Sequence, residues 1–349
     1  MKPINVLSFF DGMSGGQQSL KNLGIPVANY IAIEIDPRAK SITKANFPNT
    51  IFYGDITELV ENEEFYNSLP EIHIVFAGSP CQGLSQAGKR KGLTDPRSAL
   101  FMSFNQIFKE IKYKQGNPHI PFFFENVDMT RLPKGLNQVK PQSFITDELG
   151  VDYIMLDSID YSPCKRMRMY WTNIYLSEMM INKYNGNTET YKNIMDKNIQ
   201  RKNIIPANMD NVTVEYTFIK SIFNKKSQLK TYGAWLNKKT LKRHQANIVF
   251  RTDSKMSTLL SKGGGWGGKT GLYLRKKPKT LSETVLTIDD KYICVKPSIE
   301  CCLVAMGFPR NYFDHETLRQ LSDTAKREAI GNSWSVQTVS LLLRGALLS

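Results

Sequence analysis

Residues 1 to about 178 predict an α/β domain with a mostly parallel sheet, and residues of about 179–290 predict a second, smaller domain of different construction. In the first segment strand-like and helix-like runs alternate, the pattern of strands joined by crossover helices. The second segment lacks that alternation and is rich in Lys, Asn, Thr and Gly. A third observation comes from the end of the chain, where Val336-Gln-Thr-Val-Ser-Leu-Leu-Leu343 reads as a helix that packs back onto the first domain. That domain is therefore expected to be discontinuous, 1–178 together with 325–349. Residues 291–324, which hold a helix-like stretch from Pro297 to Met306, are expected to form a connecting segment.

Taken in order, the elements place polar residues at strand ends. An apolar strand, Ile4 to Phe10, runs into Asp11-Gly-Met-Ser-Gly-Gly16 and then a helical pattern, so the glycines sit where a nucleotide-like cofactor can approach the backbone. A second strand, Tyr30 to Ile35, closes with Glu34 and Asp36, about twenty residues beyond the glycine turn. An acid at that point typically hydrogen-bonds ribose hydroxyls. Gly54-Asp55-Ile56 ends a third short strand with a carboxylate beside an apolar residue, which suits an amino group and the flat face of an adenine ring. His73-Ile-Val-Phe-Ala77 leads into Gly78-Ser-Pro-Cys-Gln-Gly-Leu-Ser85, which holds Cys81 on a stiff, glycine-flanked turn as a candidate nucleophile. Phe122-Phe-Phe-Glu-Asn-Val127 ends in Glu125, a carboxyl whose apolar surroundings favour keeping a proton to donate to a ring nitrogen. In Cys164-Lys-Arg-Met-Arg-Met-Tyr-Trp171, Arg166 and Arg168 share one face of a strand and can brace a carboxylate or phosphate.

Composition narrows the class. The chain is 41% apolar and shows neither a hydrophobic run of transmembrane length nor a signal-peptide pattern, which predicts a soluble, cytoplasmic protein. Five cysteines without CxxC spacing, and four histidines in all, argue against a disulfide scaffold or a metal site. Cys301 and Cys302 read as packing residues. The net charge of +14 is concentrated: between Glu215 and Glu283 stand sixteen Lys or Arg and one acid, Asp253, whereas the rest of the chain carries 30 basic and 31 acidic residues. One segment holding the whole excess is the footprint of a polyanion partner. Aromatics including Tyr216, Phe218, Phe223, Trp235 and Trp266 are interleaved in it.

These motifs, in this order, resemble the C5-cytosine DNA methyltransferase family over nearly the whole length. The resemblance rests on Phe10-Asp-Gly-Met-Ser-Gly-Gly16, Glu34, Gly54-Asp-Ile56, Ser79-Pro-Cys-Gln82, Glu125-Asn-Val127, Arg166-Met-Arg168, Thr258-Leu-Leu with Gly263-Gly-Gly265 and Lys269-Thr-Gly271, Gly307-Phe-Pro309 and Gly331-Asn-Ser-Trp-Ser-Val336. It implies a Rossmann-like S-adenosylmethionine-dependent domain and a target-recognition domain at 179–290. It implies transfer of a methyl group to C5 of a flipped-out cytosine through a Cys81–C6 bond, with Glu125, Arg166 and Arg168 on the base. S-adenosylmethionine, leaving as S-adenosylhomocysteine, would be held by Phe10, Gly12, Glu34, Asp55, Ile56, Pro80, Leu100, Asn332, Ser333 and Ser335. Gly88 to Phe101 resembles the loop that closes over the flipped base. Gln82, Ser85, Lys89, Arg97, Thr258, Gly263, Gly264, Gly265 and Lys269 would then meet double-stranded DNA. A monomer on DNA is expected, with a cognate restriction endonuclease as a candidate partner. The pattern departs from the family at Cys164, where Gln is usual, and in a turn one residue shorter before it. A nicotinamide dehydrogenase would explain the glycine turn and Glu34 but not Cys81, Glu125 and Gly331-Asn-Ser333 together. A tRNA-methylating relative shares the chemistry, but the large basic segment favours duplex DNA. A silent DNA-binding relative is disfavoured by the presence of Cys81, Glu125 and Arg168.

Overall fold

The computed structural model describes residues 1–79, 99–130, 139–177, 189–197, 203, 205, 216–220, 229–237, 243–262, 267–278, 287–289 and 291–348. The first sheet contains β1 (Ile4–Phe9), β2 (Val27–Ile33), β3 (Ile51–Tyr53), β4 (Ile74–Ala77), β5 (Phe122–Val127), β6 (Tyr153–Asp157) and β7 (Met167–Thr172), in the spatial order β3-β2-β1-β4-β5-β7-β6. The five strands from β3 to β5 run parallel, and β7 is antiparallel to both β5 and β6. Parallel strands buried on both faces read as continuous apolar runs. Ile74-Val-Phe-Ala77 and Phe122-Phe-Phe are such runs, and all of these residues are buried. Phe122 and Phe124 face one core with Leu7, Phe9, Phe104 and Phe108, while Phe123 faces the other with Val6, Phe76, Trp334 and Leu342, as the period-two pleat requires.

Helices α1 (Gly15–Leu23), α2 (Pro37–Asn46), α3 (Glu63–Ser68), α4 (Ala99–Lys114) and α5 (Pro141–Leu149) follow their strands. In α4, Phe101, Phe104, Ile107, Phe108 and Ile111 form the apolar stripe that covers β5. Asp36 accepts a hydrogen bond from Arg38 N and starts α2, with Pro37 in the first turn, where its missing N–H costs nothing.

A second sheet has the order β12-β13-β11-β10-β9-β8, formed by β8 (Tyr216–Lys220), β9 (Thr231–Asn237), β10 (Arg243–Phe250), β11 (Leu272–Lys276), β12 (Thr287–Asp289) and β13 (Tyr292–Val295). The expected boundary at 290 falls inside it, because β12 and β13 pair antiparallel with Asp289 opposite Tyr292 and cannot be divided between two units. The segment 291–324 does not merely connect. It supplies β13 and a helix after α6 (Tyr191–Ile194), namely α7 (Ile299–Ala305), whose Cys301, Cys302 and Leu303 are buried in a core shared by Met13 and Ile42 of the first sheet's side and Phe250, Tyr273 and Ile293 of the second sheet. The chain then returns through α8 (Asp323–Asn332) and α9 (Val336–Leu347). Val339, Leu342 and Leu343 of α9 pack with Val6 and Leu20, and Ser19 Oγ donates to Val336 O at 3.0 Å. Among the described residues no helix is long and apolar enough to cross a membrane, and no cluster of His, Cys, Asp or Glu is placed to hold a metal ion.

Candidate active site

Ligands of open parallel sheets sit at the carboxyl ends of the strands, and Phe10, Gly12, Glu34, Asp55 and Glu125 lie at or just beyond those ends. After β1 the chain turns with three left-handed residues in five, Phe10 (φ 57°), Gly12 (φ 60°) and Ser14 (φ 63°). Phe10 and Ser14 carry side chains in a region that L-residues avoid, at a cost of about 1–3 kcal/mol each, so the surroundings must impose the turn. Gly12 has no atom within 4 Å of the position a Cβ would take, so its backbone faces open space. Its N–H donates to Glu34 Oε2 at 2.8 Å, and Asp36 N donates to Glu34 Oε1 at 2.8 Å. Both oxygens of Glu34 thus button the end of β2 to the glycine turn, and burial raises its pKa.

Asp55 heads the short helical turn after β3. Its Oδ1 accepts from Thr57 N at 2.9 Å and Thr57 Oγ1 at 2.8 Å. Ile56, expected at the cofactor, is 3% exposed and joins Leu59 and Phe65 in the core, beneath the half-buried Asp55. The open apolar surface comes instead from Ile35, 66% exposed beside Glu34. Sequence reading missed it, although an isoleucine between two acids at a strand end was the signal. Leu100 packs on the core at the start of α4.

On the other side of β4, Glu125 projects from β5 and Arg168 from β7. Arg168 Nε lies 2.8 Å from Glu125 Oε1, with side-chain exposures of 13% and 9%. The approach is that of an ion pair without hydrogen-bond alignment, so Oε1 has a charge partner but no aligned donor. Arg166 does not join this pair. It is 4% exposed, its Nη1 donates to Gly331 O at 3.2 Å, and burial pushes its guanidinium pKa down to about 10. The two arginines therefore divide the work, Arg168 on the carboxylate and Arg166 on the C-terminal segment. Asn126 Nδ2 donates to Ser79 Oγ at 3.2 Å, tying β5 to the turn after β4.

The C-terminal segment is wedged among these parts. A Cβ on Gly331 would lie 2.4 Å from Leu260 C and from Ser261 N, and one on Gly78 would lie 2.5 Å from Trp334 Nε1. Trp334, unassigned in the sequence, is thus seated against the backbone that leads to Cys81. Ser333 and Ser335, expected at the cofactor, are both buried: Ser333 Oγ donates to Trp334 O at 3.2 Å, and Ser335 Oγ accepts from Thr338 N at 3.4 Å to start α9. Asn332 is exposed.

On the expected DNA side, Thr258 is half-buried. Lys269 is not free: its Nζ pairs with Glu328 Oε1 of α8 at 2.8 Å, and Arg38 lies 3.6 Å from the same carboxylate. Cys164 joins Met256 in an isolated parallel bridge, its Sγ donates to Ser257 O at 3.4 Å, and burial pushes its pKa up to about 12, so it closes a seam between the sheets. Pro80, Cys81, Gln82, Ser85, Lys89, Arg97, Gly263, Gly264 and Gly265 lie outside the described residues.

Over 247 residues the chain is 28% identical to the Type II methyltransferase M.NlaIV of Neisseria lactamica, covering 67% of this chain and 53% of the relative. It is 27% identical over 322 residues to the orphan methyltransferase M.Rho11sI of Bacillus phage rho11s, covering 80% and 62%. The match spans about half the length of M.NlaIV. In fold, the chain resembles the Entamoeba histolytica methyltransferase EhMeth (TM-score 0.69, 18% identity, 99% of this chain and 98% of that one) and S. pombe Dnmt2 (TM-score 0.66, 15% identity, 99% and 98%). Residues 4–345 match the family model for the C-5 cytosine-specific DNA methylase, and the chain belongs to that family.

Proposed function

We propose that this chain methylates C5 of a cytosine in duplex DNA, with S-adenosylmethionine as the methyl donor and a Cys81–C6 bond as the intermediate. The observation that supports it most is one of placement: β4, which runs into Ser79-Pro80-Cys81, lies between β1 with its Gly12–Glu34 turn and β5 with its Glu125–Arg168 pair. The open space over Gly12, the exposed Ile35 and the outward carboxylate of Asp55 suit an adenosine-bearing ligand. Glu34 would take the ribose, Asp55 the exocyclic amine, and Phe10, Ile35 and Asn332 the flanks. When bound there, S-adenosylmethionine supplies an electrophilic methyl group.

Cytosine C5 is a poor nucleophile. Addition of the Cys81 thiolate to C6 shifts electron density onto C5, and a proton donated by the Glu125 carboxyl to N3 neutralises the charge that develops on the ring, leaving Glu125 as a carboxylate on Arg168. Arg168 fixes the orientation of Glu125. Once C5 carries the methyl group, a base removes the C5 proton and the Cys81–C6 bond breaks, restoring the ring and the thiolate. The reacting atoms are inaccessible inside a duplex, so the base must be flipped out, at a cost of a few kcal/mol offset by contacts to DNA.

Residues 1–178 with 325–349 would form the catalytic domain. The basic recognition domain would extend through β13 rather than stopping at 290. A cognate endonuclease is the reading suggested by the Type II relative, and a solitary enzyme the one suggested by the orphan phage relative. The decisive test is Cys81→Ala. Methyl transfer should fall to background while binding of S-adenosylmethionine and DNA survives, and DNA carrying 5-fluorocytosine at the target should trap the wild-type protein in a denaturation-resistant adduct. Methylation by the variant above background would refute the nucleophile assignment.

A further inference from the structure

The glycine turn rests on a carboxylate that none of the roles above uses. Asp11 is 3% exposed, directly beneath Gly12. Three hydroxyls donate to it: Ser8 Oγ and Tyr30 OH to Oδ1, and Ser14 Oγ to Oδ2, each at 2.6 Å. These donors come from β1, from β2 and from the residue that opens α1. The network continues outward, because Gln17 Nε2 donates both to Ser14 Oγ at 2.9 Å and to Thr50 Oγ1 at 2.8 Å. Two further side chains hold the turn's carbonyls, Thr43 Oγ1 on Gly12 O at 3.3 Å and Tyr312 OH on Met13 O at 2.7 Å.

Burying a carboxylate is expensive unless it is fully hydrogen-bonded, and no cation pairs with Asp11 among the described residues. A cost that three hydroxyls offset only in part points to a role for the carboxylate itself. The flanking backbone supplies the reason, since Phe10 and Ser14 hold left-handed conformations without being glycines. An ionised carboxylate is acceptor-only on both oxygens, whereas a neutral amide or a protonated acid turns one of its two terminal atoms into a donor that would face Ser14 or the Ser8–Tyr30 pair.

We propose that Asp11 is a positioning residue for the methyl-donor site: by accepting from Ser8, Ser14 and Tyr30 it locks the Phe10–Ser14 turn, keeping Gly12 N–H on Glu34 and the space above Gly12 open. The inference rests on the cofactor reading given under Proposed function and adds to it a residue that would not touch the cofactor. A loosened turn misplaces Glu34, so the loss falls on cofactor affinity rather than on DNA. Protonation should have the same effect as substitution. Burial raises the pKa of Asp11 to about 6, and the titratable groups that face it are Tyr30, Glu34 and Tyr312.

The test is binding of S-adenosylhomocysteine by calorimetry to wild type, Asp11→Asn and Tyr30→Phe, with cofactor-free DNA affinity and a thermal melt alongside. Asp11→Asn should weaken the ligand about tenfold or more at neutral pH, the scale of a lost charge-assisted hydrogen bond, with DNA affinity unchanged. The loss should appear in the KM for the methyl donor and not in kcat. Wild-type affinity should drop as pH falls through about 6, and the Asp11→Asn profile should show a smaller step, that of Glu34 alone. If Asp11→Asn does not fold, Tyr30→Phe carries the test, since it removes one donor and keeps the ring; it should weaken the ligand several-fold. A folded Asp11→Asn that binds as wild type does, or a folded Tyr30→Phe with unchanged affinity where Asp11→Asn fails to fold, overturns the inference and leaves the cofactor reading intact. A wild type that binds no S-adenosylhomocysteine at any pH removes both.

Discussion

The pairing of Glu125 with Arg168 makes a prediction that separates an organised site from two charges that happen to meet. Replacing Arg168 by Met removes the cation and keeps most of the volume, leaving the Glu125 side chain 9% exposed without its partner. Removing one member of a buried pair typically costs 3–5 kcal/mol, because the other charge is left desolvated; the expected loss here is at the lower end, about 3 kcal/mol. Two features place it there. Arg168 is 13% exposed, and its Nε meets Oε1 without hydrogen-bond alignment. Glu125→Gln should cost less than Arg168→Met, since the guanidinium keeps the Met167 carbonyl at 2.7 Å. The double variant should be more stable than Arg168→Met alone, because it buries no orphan charge. Turnover should follow the same logic: either single change lowers methylation by about 10²–10⁴-fold, and the pair together by no more than the worse of the two. Thermal melts and single-turnover methylation on the four proteins form the cycle. Additive losses in both measurements would show that Arg168 does not position Glu125, and the role assigned to it would fall.

Three other perturbations follow from the structure and the charge pattern. Neutralising Lys225, Lys226, Lys238, Lys239, Lys242 and Arg243 together should weaken binding to all DNA sequences and flatten the log–log salt slope by about 0.9 for each phosphate no longer neutralised, with cofactor affinity spared; an unchanged slope would make them a solvated face. Gly331→Ala should destabilise the protein by roughly 1–3 kcal/mol and cut methylation, because its Cβ would stand 2.4 Å from Leu260 and Ser261 backbone atoms that no side-chain rotation can move; melting unchanged from wild type would refute the close approach. Asp11 sets a pH dependence of unusual sign: its pKa rises from 3.8 to about 6 on folding, so the native state holds the proton more tightly and stability from this group falls as pH rises between those values, by about 3 kcal/mol in all. Melts of wild type and Asp11→Asn across that range should diverge accordingly, and parallel curves would rule the shift out.

Much of the fold was legible because it is local. Strand, glycine turn and helix follow one another within twenty-five residues, and Glu34 stands at the end of the next strand, so the Gly12–Glu34 contact needs only that one crossover be right. Glu125 and Arg168 were legible as strand positions, and Arg168 as able to brace a carboxylate, although the register in which β5 and β7 meet is not displayed by the sequence. What could not be read was where side chains turn at the ends of elements. Ile56 goes inward and Ile35 outward, and the choice is made by a short helical turn headed by Asp55. Lys269 was assigned to DNA by its neighbours in sequence, while its partner Glu328 lies on a helix 59 residues later. The boundary at 290 followed composition, which changes gradually, rather than the β12–β13 hairpin, which crosses it.

Several of the long-range contacts that sequence reading missed end on residues 331–335. Gly331 O receives Arg166, whose neighbour two residues on holds Glu125. The Gly331 Cα presses on Leu260 and Ser261, which lead to the glycines expected at DNA. Ser333 Oγ stands 3.2 Å from where a Gly15 Cβ would be, at the start of α1. Trp334 packs edge-on against Phe76 and Phe123 and closes on Gly78, just before the nucleophile's turn. Three residues, Gly331, Ser333 and Trp334, thus touch the supports of the proposed base, target-loop, cofactor and nucleophile sites, through backbone, a hydroxyl and a packed ring. Such contacts tolerate little displacement, because close-packed interiors transmit strain rather than absorb it. A shift at any one of the four would be felt at the others through this segment, and that is a physical reason for the chain to cross the second sheet and return to the first before it ends.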